Sequence, residues 1–495
     1  MTGPLDFIFL NEKGNLNEVD WDGPSREKLW RYNQHYFDDL NASLACERKQ
    51  WHVNLINKWI VDNPPLLGTA WEAYPTSLRI VNWIKWHLRG NELSANALCS
   101  LVIQLRWLEK RLEYHLLGNH LFANAKALVF GGLFFEDIEA DKWLKKGLKI
   151  LERELKVQIL PDGGHFELST MYHALAFEDI LDILNITKTF SNKLTKEQHL
   201  KISIFPNLAN SMHYWLKNMC HPDGEISFFN DSALDVAPSF SELDAYYKRL
   251  GIEPAQSTHR KLNLLKDSGY IRIRNGNTVA IIDVAKIGPD WLPGHAHADT
   301  LSFELSVYNQ RVIVNSGTSC YGSSNDRLLQ RGTRAHNTVI INGEDSSEVW
   351  GGFRVARRSY PQNLQINESN LENSIEVHCS QDGYCRLKGK PLHRRSWIIN
   401  ESELLVKDKV DGLYKSAVAR FHFHPDVKIT VNQNYKSGTL LLAANKTLFW
   451  SIDHGTGKLE ESTWHPKFGE SIPNFCLQIK LIKGLSIFRL QFPQL

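Results

Sequence analysis

The sequence predicts an α+β multidomain chain, a helical N-terminal part followed by an all-β part, and three observations predict it. At 495 residues the chain exceeds what one hydrophobic core usually organises, so two domains are the natural expectation. Between about Pro24 and Lys217 the apolar residues recur three and four apart, as in Trp51, Leu55, Trp59 and again in Leu78, Val81, Ile84, Leu88, which is the period of amphipathic helices. Beyond about Leu264 the period drops to two, in short runs separated by Gly, Asn and Asp, which is the pattern of strands and tight turns.

The helical pattern covers residues 51–62, 75–89, 93–116, 120–133, 141–157, 170–189 and 196–217. The short links between them suit antiparallel neighbours, and no fixed-period repeat marks a TPR or ankyrin array. The polar stretch Glu253–Lys266 is the expected boundary. Strands follow at Tyr270–Arg274, Val279–Val284, Leu301–Val307, Arg311–Val314, Thr338–Ile341, Ser396–Ile399, Leu404–Val410, Ala417–His424, Thr439–Ala443 and Leu485–Phe492, without a convincing long helix among them. Many short strands of this kind make a β-sandwich or a stack of sheets.

Composition narrows the function. The net charge of +2 removes the whole-chain field of a nucleic-acid binder, so any anionic ligand must be met locally. The 15 Trp and 15 Tyr chiefly fill cores, and a few can face sugar rings. Seven scattered cysteines with no CxxC pair form neither a disulfide framework nor a cysteine zinc site. No signal peptide is visible and no stretch can span a membrane, so the chain reads as cytoplasmic, or as periplasmic or secreted if the N-terminus is trimmed. A homo-oligomer stays open.

Four clusters combine turn residues with titratable or amide groups. Gly118-Asn119-His120 stands at a helix junction, where Asn119 can also be a plain helix cap. Asp162-Gly163-Gly164-His165-Phe166-Glu167 leads to Tyr172 and His173 at a helix start, where capping and a half-buried tyrosine are the plain alternative. Asp223-Gly224-Glu225 with Phe229-Asn230-Asp231 reads as a turn with acidic decoration. The fourth is Gly294-His295-Ala296-His297-Ala298-Asp299, whose two histidines share one face if the segment is extended, followed by Asn315-Ser316-Gly317-Thr318 and Arg334-Ala335-His336-Asn337-Thr338 at strand edges. Converging histidines point to metal binding or proton transfer.

Taken in order, and with Tyr32-Asn33-Gln34-His35-Tyr36-Phe37 in the helical part, these clusters resemble the heparinase II/III-like polysaccharide lyases, which include heparin, heparan sulfate and some alginate lyases. The resemblance implies an α/α toroid (an incomplete helical barrel) over 1–260 and an antiparallel β-sandwich over 261–495. It implies a lyase that cleaves an acidic, uronate-containing polysaccharide or oligosaccharide by β-elimination, leaving unsaturated uronate ends. It assigns Asn119 and His120 to the substrate carboxylate, Tyr172 and His295 to catalysis, and His297 and His336 to a metal, usually zinc. Where the family often has Asp-Ser-Gly this chain has Asn315-Ser316-Gly317, and an amide oxygen is a poorer zinc ligand than a carboxylate, so a structural zinc is an expectation that Asn315 weakens.

The residue types suit the reaction. Removing the C5 proton of a uronate spreads charge onto its carboxylate, which donors such as Asn119 and His120 can neutralise. Tyr172 can act as acid or base, though an unperturbed phenol titrates near ~10, and His295 is the partner whose imidazole titrates near ~6.5. Further substrate contacts are expected from His173, Glu167, Tyr321, Arg334 and Arg354, the arginines through bidentate pairing. The alternatives are a glycoside hydrolase using Glu167, Asp223 or Glu225, and a glycan-binding or assembly protein without turnover, hinted at by Asn315 alone.

Overall fold

The structure is a computed structural model that describes residues 1–253, 260–369, 371 and 373–493; part of the expected boundary, 254–259, lies outside them. The chain divides into two compact units that interleave along the sequence. One comprises 1–158 and 178–207, the other 159–177 and 208–495. The change from helix to strand near residue 260 is therefore not where the units part.

The first unit is built on the helices Lys28–Tyr36, Lys49–Asp62, Ala73–Leu88, Ala95–Glu109, Gly118–Phe134 and Ile138–Gln158. The helix Gly118–Phe134 is buried from Leu121 to Leu133, which its sequence allows because it carries almost no charge. Where the periodicity predicts one helix over 93–116, the helix stops at Glu109, and the turn that follows is held by the Glu113 amide donating to Asn124 Oδ1 at 2.8 Å. The helix expected over 196–217 is two, Lys196–Ile202 and Phe205–Met219, with Pro206 in the first turn of the second, where a proline is tolerated and cannot continue the helix before it.

Among the described residues the second unit holds three larger antiparallel sheets and a two-stranded one, Val349–Trp350 with Arg354–Val355. One has five strands in sequence order, Leu262–Leu265, Tyr270–Asn275, Thr278–Asp283, Phe303–Val307 and Gln310–Ile313. A four-stranded sheet runs Thr456–Trp464, Ile472–Lys480, Ala417–His422, Val339–Ile341. The third has eight strands, with Pro361–Ser369 and Lys428–Val431 at its edges. All three contribute to one core, from Ile271 and Phe303 through Val339 and Phe421 to Trp397 and Phe488. The other face of the five-stranded sheet buries Tyr270, Val279 and Ile281 against Leu168, Trp215, Met219 and Phe229, from the helical segments of the same unit. Burial on both faces explains why Thr278–Asp283 shows no polar alternation. A short helix, Asn325–Arg331, capped by Ser324, interrupts the β region and was not visible in the periodicity.

Candidate active site

The site in the second unit is organised by Asp231, a fully buried carboxylate. His295 Nδ1 donates to its Oδ2 at 2.8 Å, His297 Nε2 to its Oδ1 at 2.8 Å, and Arg327 approaches with both terminal nitrogens, Nη2 to Oδ2 at 2.7 Å. Burial alone would raise this carboxyl, but the charge of Arg327 and the hydrogen bonds from His295, His297 and Arg327 outweigh it and hold it well below the usual range. The histidine segment is an irregular loop rather than a strand, yet the two-residue spacing still delivers both imidazoles to one carboxylate.

The loop is stitched in place from both sides. Asn230 Oδ1 accepts the His297 amide at 2.9 Å, the Asp231 amide donates to the His295 carbonyl at 3.0 Å, and Arg331 Nη2 holds the Ala296 carbonyl at 3.0 Å. Arg327 and Arg331 are one helical turn apart on Asn325–Arg331, so this short helix sends two guanidinium groups to the same loop.

Tyr172 sits in the first turn of the helix Thr170–Thr189, its amide capped by Ser169 Oγ at 3.1 Å. Before it, Leu168 has a left-handed backbone (φ 59°), a conformation that costs a non-glycine residue about 1–2 kcal/mol. The carbonyl so presented accepts Asn230 Nδ2 at 3.0 Å and the Tyr270 hydroxyl at 2.8 Å. The Tyr172 ring lies 4.1 Å from that of His295, and its hydroxyl shares a 2.8 Å hydrogen bond with Tyr321. Burial first, then the neighbouring Tyr321, Asp231 and Glu167, push the phenol well above its ordinary value, so Tyr172 is protonated. Tyr321 in turn packs against Phe353 at 5.3 Å and Phe468 at 4.9 Å, with Arg327 over its ring. Phe353 is itself 43% exposed beside His295.

Other expected residues fall elsewhere. His173 is buried with Nε2 donating to the Met212 carbonyl at 3.0 Å and Nδ1 accepting the His165 amide, so neither nitrogen is free for a substrate; burial lowers its pKa to about 3. Glu167 is buried near His165. Arg334 pairs with Glu460 at 3.3 Å on the four-stranded sheet, and Arg354 is exposed over Trp350. Of the acidic alternatives, Asp223 is gripped by Arg311, Nε to Oδ2 at 2.6 Å, which holds its pKa down despite burial and leaves it no proton to give. In the first unit Asn119 and His120 are half-buried in the first turn of Gly118–Phe134. Asn119 is no helix cap, since the cap position is Leu117, and His120 Nδ1 meets Glu113 at 3.2 Å with Tyr74 against its ring.

The expected metal ligands give a mixed answer. His297 and His336 are buried with ring centroids 5.3 Å apart, and burial keeps both neutral, His297 lowered to about 4. His297 Nδ1 and both ring nitrogens of His336 lack a hydrogen bond of normal geometry. The third donor does not match: Asn315 Oδ1 already accepts from the Asn337 amide at 3.2 Å and Asn337 Nδ2 at 3.3 Å. Among the described residues no group of three or more His, Cys, Asp or Glu is arranged to hold an ion. The set does not fit a closed four-ligand zinc site.

Asp231, Arg327 and Arg331 were missed in the sequence. Asp231 lies 64 and 96 residues from His295 and Arg327, so nothing near it marked it as more than a turn acid.

Two family descriptions match the chain, "Heparinase II/III N-terminus" over 16–249 and "Heparinase II/III-like, C-terminal" over 257–482. Among curated proteins, a heparin-sulfate lyase of Bacteroides stercoris is 27% identical over 59% of this chain and 44% of its own length. One of Bacteroides thetaiotaomicron is 24% identical over 60% and 49%. The matched part thus spans about half the length of these relatives. In fold, a crystal structure of heparinase III superposes with a TM-score of 0.76 at 19% identity, covering 96% of this chain and 79% of that one. A heparan sulfate lyase from Pedobacter heparinus does so at 0.65 and 16%, covering 98% and 80%. The chain belongs to the heparinase II/III-like family.

Proposed function

We propose that this protein is a polysaccharide lyase that cleaves a uronate-containing polysaccharide by β-elimination. The observation that carries the reading is the Tyr172–His295 pair, with His295 oriented by Asp231. A carboxylate can only accept, so the proton of neutral His295 lies on Nδ1 and the lone pair on Nε2 points away from Asp231. That lone pair removes the C5 proton. The C4–O4 bond then breaks, its electrons stay with O4, and the C4=C5 double bond forms. Tyr172, protonated, gives its proton to the departing O4, and the Tyr321 hydroxyl holds the phenol in line. For Asn119 and His120 we propose a part in holding the anionic chain, supported by the partial positive charge of a helix start. The names of the curated relatives, heparin-sulfate lyases, support a glycosaminoglycan-type substrate.

The test is a screen of the purified protein against heparan sulfate, hyaluronan, alginate and bacterial capsular polysaccharides. The expected result is ultraviolet absorbance from unsaturated uronate ends, reduced at least about 100-fold in Tyr172→Phe, which loses only the phenol oxygen. Near-normal turnover in that variant sinks the assignment. New reducing ends without absorbance would favour hydrolysis instead.

A further inference from the structure

The short hairpin of Val349–Trp350 and Arg354–Val355 turns at residues 351–353 and brings Phe353 against the site. The Phe353 ring lies 5.9 Å from that of His295 and 5.3 Å from that of Tyr321. Arg327 stands over the same ring at 5.4 Å, yet 43% of the residue is exposed, so the open part of the ring is the side away from that guanidinium. Trp350, on the same hairpin, is 54% exposed. Two aromatic side chains this exposed on one short hairpin contribute little to the core and form an apolar face beside the proposed base.

The hairpin is fixed by the residues that fix the catalytic groups. Arg327, whose terminal nitrogens hold Asp231, gives its Nε to the Gly352 carbonyl at 3.0 Å. Arg331, which holds the Ala296 carbonyl, gives Nη1 to the Gly351 carbonyl at 3.1 Å and Nη2 to that of Arg354 at 3.4 Å. Gly352 is also pressed on the segment that carries Tyr321: a Cβ there would run into the Gly322 carbonyl oxygen, so glycine is required. Phe353 is therefore a preset surface, and a ligand that stacks on it loses little to ordering the protein.

Chemistry narrows the ligand. His295 Nε2 faces away from Asp231, and a sugar ring in position for it to act on lies within reach of Phe353. The C–H face of a pyranose is apolar and packs on an aromatic face. The charge beside it is positive. Arg354 stands outside the Asp231 cluster but next to Phe353 in the chain, exposed and directly across from Trp350, with its guanidinium over that indole at 5.4 Å. Among the described residues it pairs with no carboxylate, unlike Arg357, which has Glu348, and Arg358, which has Asp290. An unpaired guanidinium at such a place suits a carboxylate or a sulfate.

We propose that residues 349–355 are the substrate-binding edge of this site: Phe353 carries the sugar ring that lies against His295, and Arg354 takes a carboxylate or sulfate on the adjoining residue. The proposal rests on the reading of His295 as the base.

The experiment uses the full chain carrying Tyr172→Phe, so that binding is read without turnover, and calorimetry with hexasaccharides of hyaluronan, alginate and heparan sulfate. The expected result is that at least one binds, and that its affinity falls at least about 5-fold in both Phe353→Ala and Phe353→Leu and is kept in Phe353→Tyr, because leucine preserves apolar packing on His295 and Tyr321 but not the flat ring. Arg354→Gln weakens it about 3-fold or more at low salt and flattens its dependence on salt. Such a loss with hyaluronan or alginate marks a carboxylate as the recognised group, and a loss with heparan sulfate alone marks a sulfate. Circular dichroism checks that each variant folds. Binding of none of the three sugars, parent-like affinity in Phe353→Leu, or unchanged affinity and salt dependence in Arg354→Gln would overturn the proposal. The lyase reading is judged separately, by ultraviolet absorbance from the chain with Tyr172 intact: product formed with no effect of the hairpin variants leaves that reading standing and ends this one.

Discussion

Asp231 carries an unusual concentration of duties for one side chain. It fixes the tautomer of His295, receives His297 and neutralises a guanidinium with no solvent around it. Asp231→Asn keeps the shape and removes the charge, leaving Arg327 buried beside an amide, at a cost of about 3–5 kcal/mol. It also lets the His295 ring take the other tautomer, so turnover is expected to fall by about 100-fold or more. Thermal unfolding with substrate turnover measured on the same samples checks both; a stable variant with full activity would show Asp231 to be dispensable. At this scale the sequence was partly legible. Tyr172 and His295 stood in short polar clusters and do converge, with Tyr321, expected only as a substrate contact, beside them, whereas Asp231 looked like turn decoration because its significance lies wholly in partners far along the chain. His173 misled for the converse reason: it follows Tyr172 immediately, but on a helix consecutive side chains diverge by about 100°, which sends it into the core.

Among the elements, the strands Leu392–Ile399 and Glu403–Asp411 place Arg395 directly opposite Asp408 in register, both buried. Arg395 also reaches the Leu301 carbonyl at 2.9 Å and the Asn337 carbonyl, tying the eight-stranded sheet to the segments that carry the site. Burial would raise Asp408, but Arg395 and His393 bring it down to about 2. A depressed carboxyl stabilises the fold above its unfolded value of 3.8 and loses that contribution as pH falls through 2, about 2 kcal/mol in all. Asp408→Asn therefore has a lower urea midpoint than the parent at pH 6, and the gap narrows by pH 3; a gap independent of pH would contradict the linkage. The strand edges at Asn315 and His336 support a different expectation. The unaltered protein retains little or no zinc after mild chelation, and Asn315→Asp, which supplies the carboxylate that the expected ligand set lacks, raises zinc affinity and makes thermal stability zinc-dependent. Metal analysis and melting with and without zinc decide it, and full, chelator-resistant zinc in the parent would show the amide to be no handicap. Some strands with an apolar face were read from their alternation, but Ser374–Gln381 and Thr447–His454, with Ile375 and Val377 and with Leu448, Trp450 and Ile452 on one face, were not, nor was Thr456–Trp464, mostly polar on both faces.

For the whole molecule, the change of period near residue 260 correctly marks the passage from helix to sheet but not a unit that stands alone. Residues 159–177 and 208–253 belong with the sheets, covering Tyr270, Val279 and Ile281 and supplying Asp162 to the Ser268 amide at 2.7 Å and His221 to Glu304 at 2.8 Å. Periodicity reports local conformation, and which core a helix joins is decided by contacts it cannot register. A fragment of residues 261–495 is accordingly expected to aggregate or remain molten, with exposed apolar surface detectable by dye binding and no cooperative urea transition. A sharp two-state transition in that fragment would mean that the helical cover is dispensable.

The interleaving of the two units also bears on how the chain is made. Translation proceeds from the N-terminus, so the segment 159–177, with Tyr172, leaves the ribosome before any strand of the sheets it packs on has been synthesised. Tyr321 follows Tyr172 by 149 residues, about 7–30 s at ordinary elongation rates. Until the strands of residues 262–313 have been made, Leu168, Trp215 and Phe229 have no sheet to cover, and the nascent chain presents an apolar surface that a holdase can occupy. Slowing elongation before residue 261 lengthens that exposure, so synonymous codons in this stretch become a determinant of yield that the folded protein does not reveal.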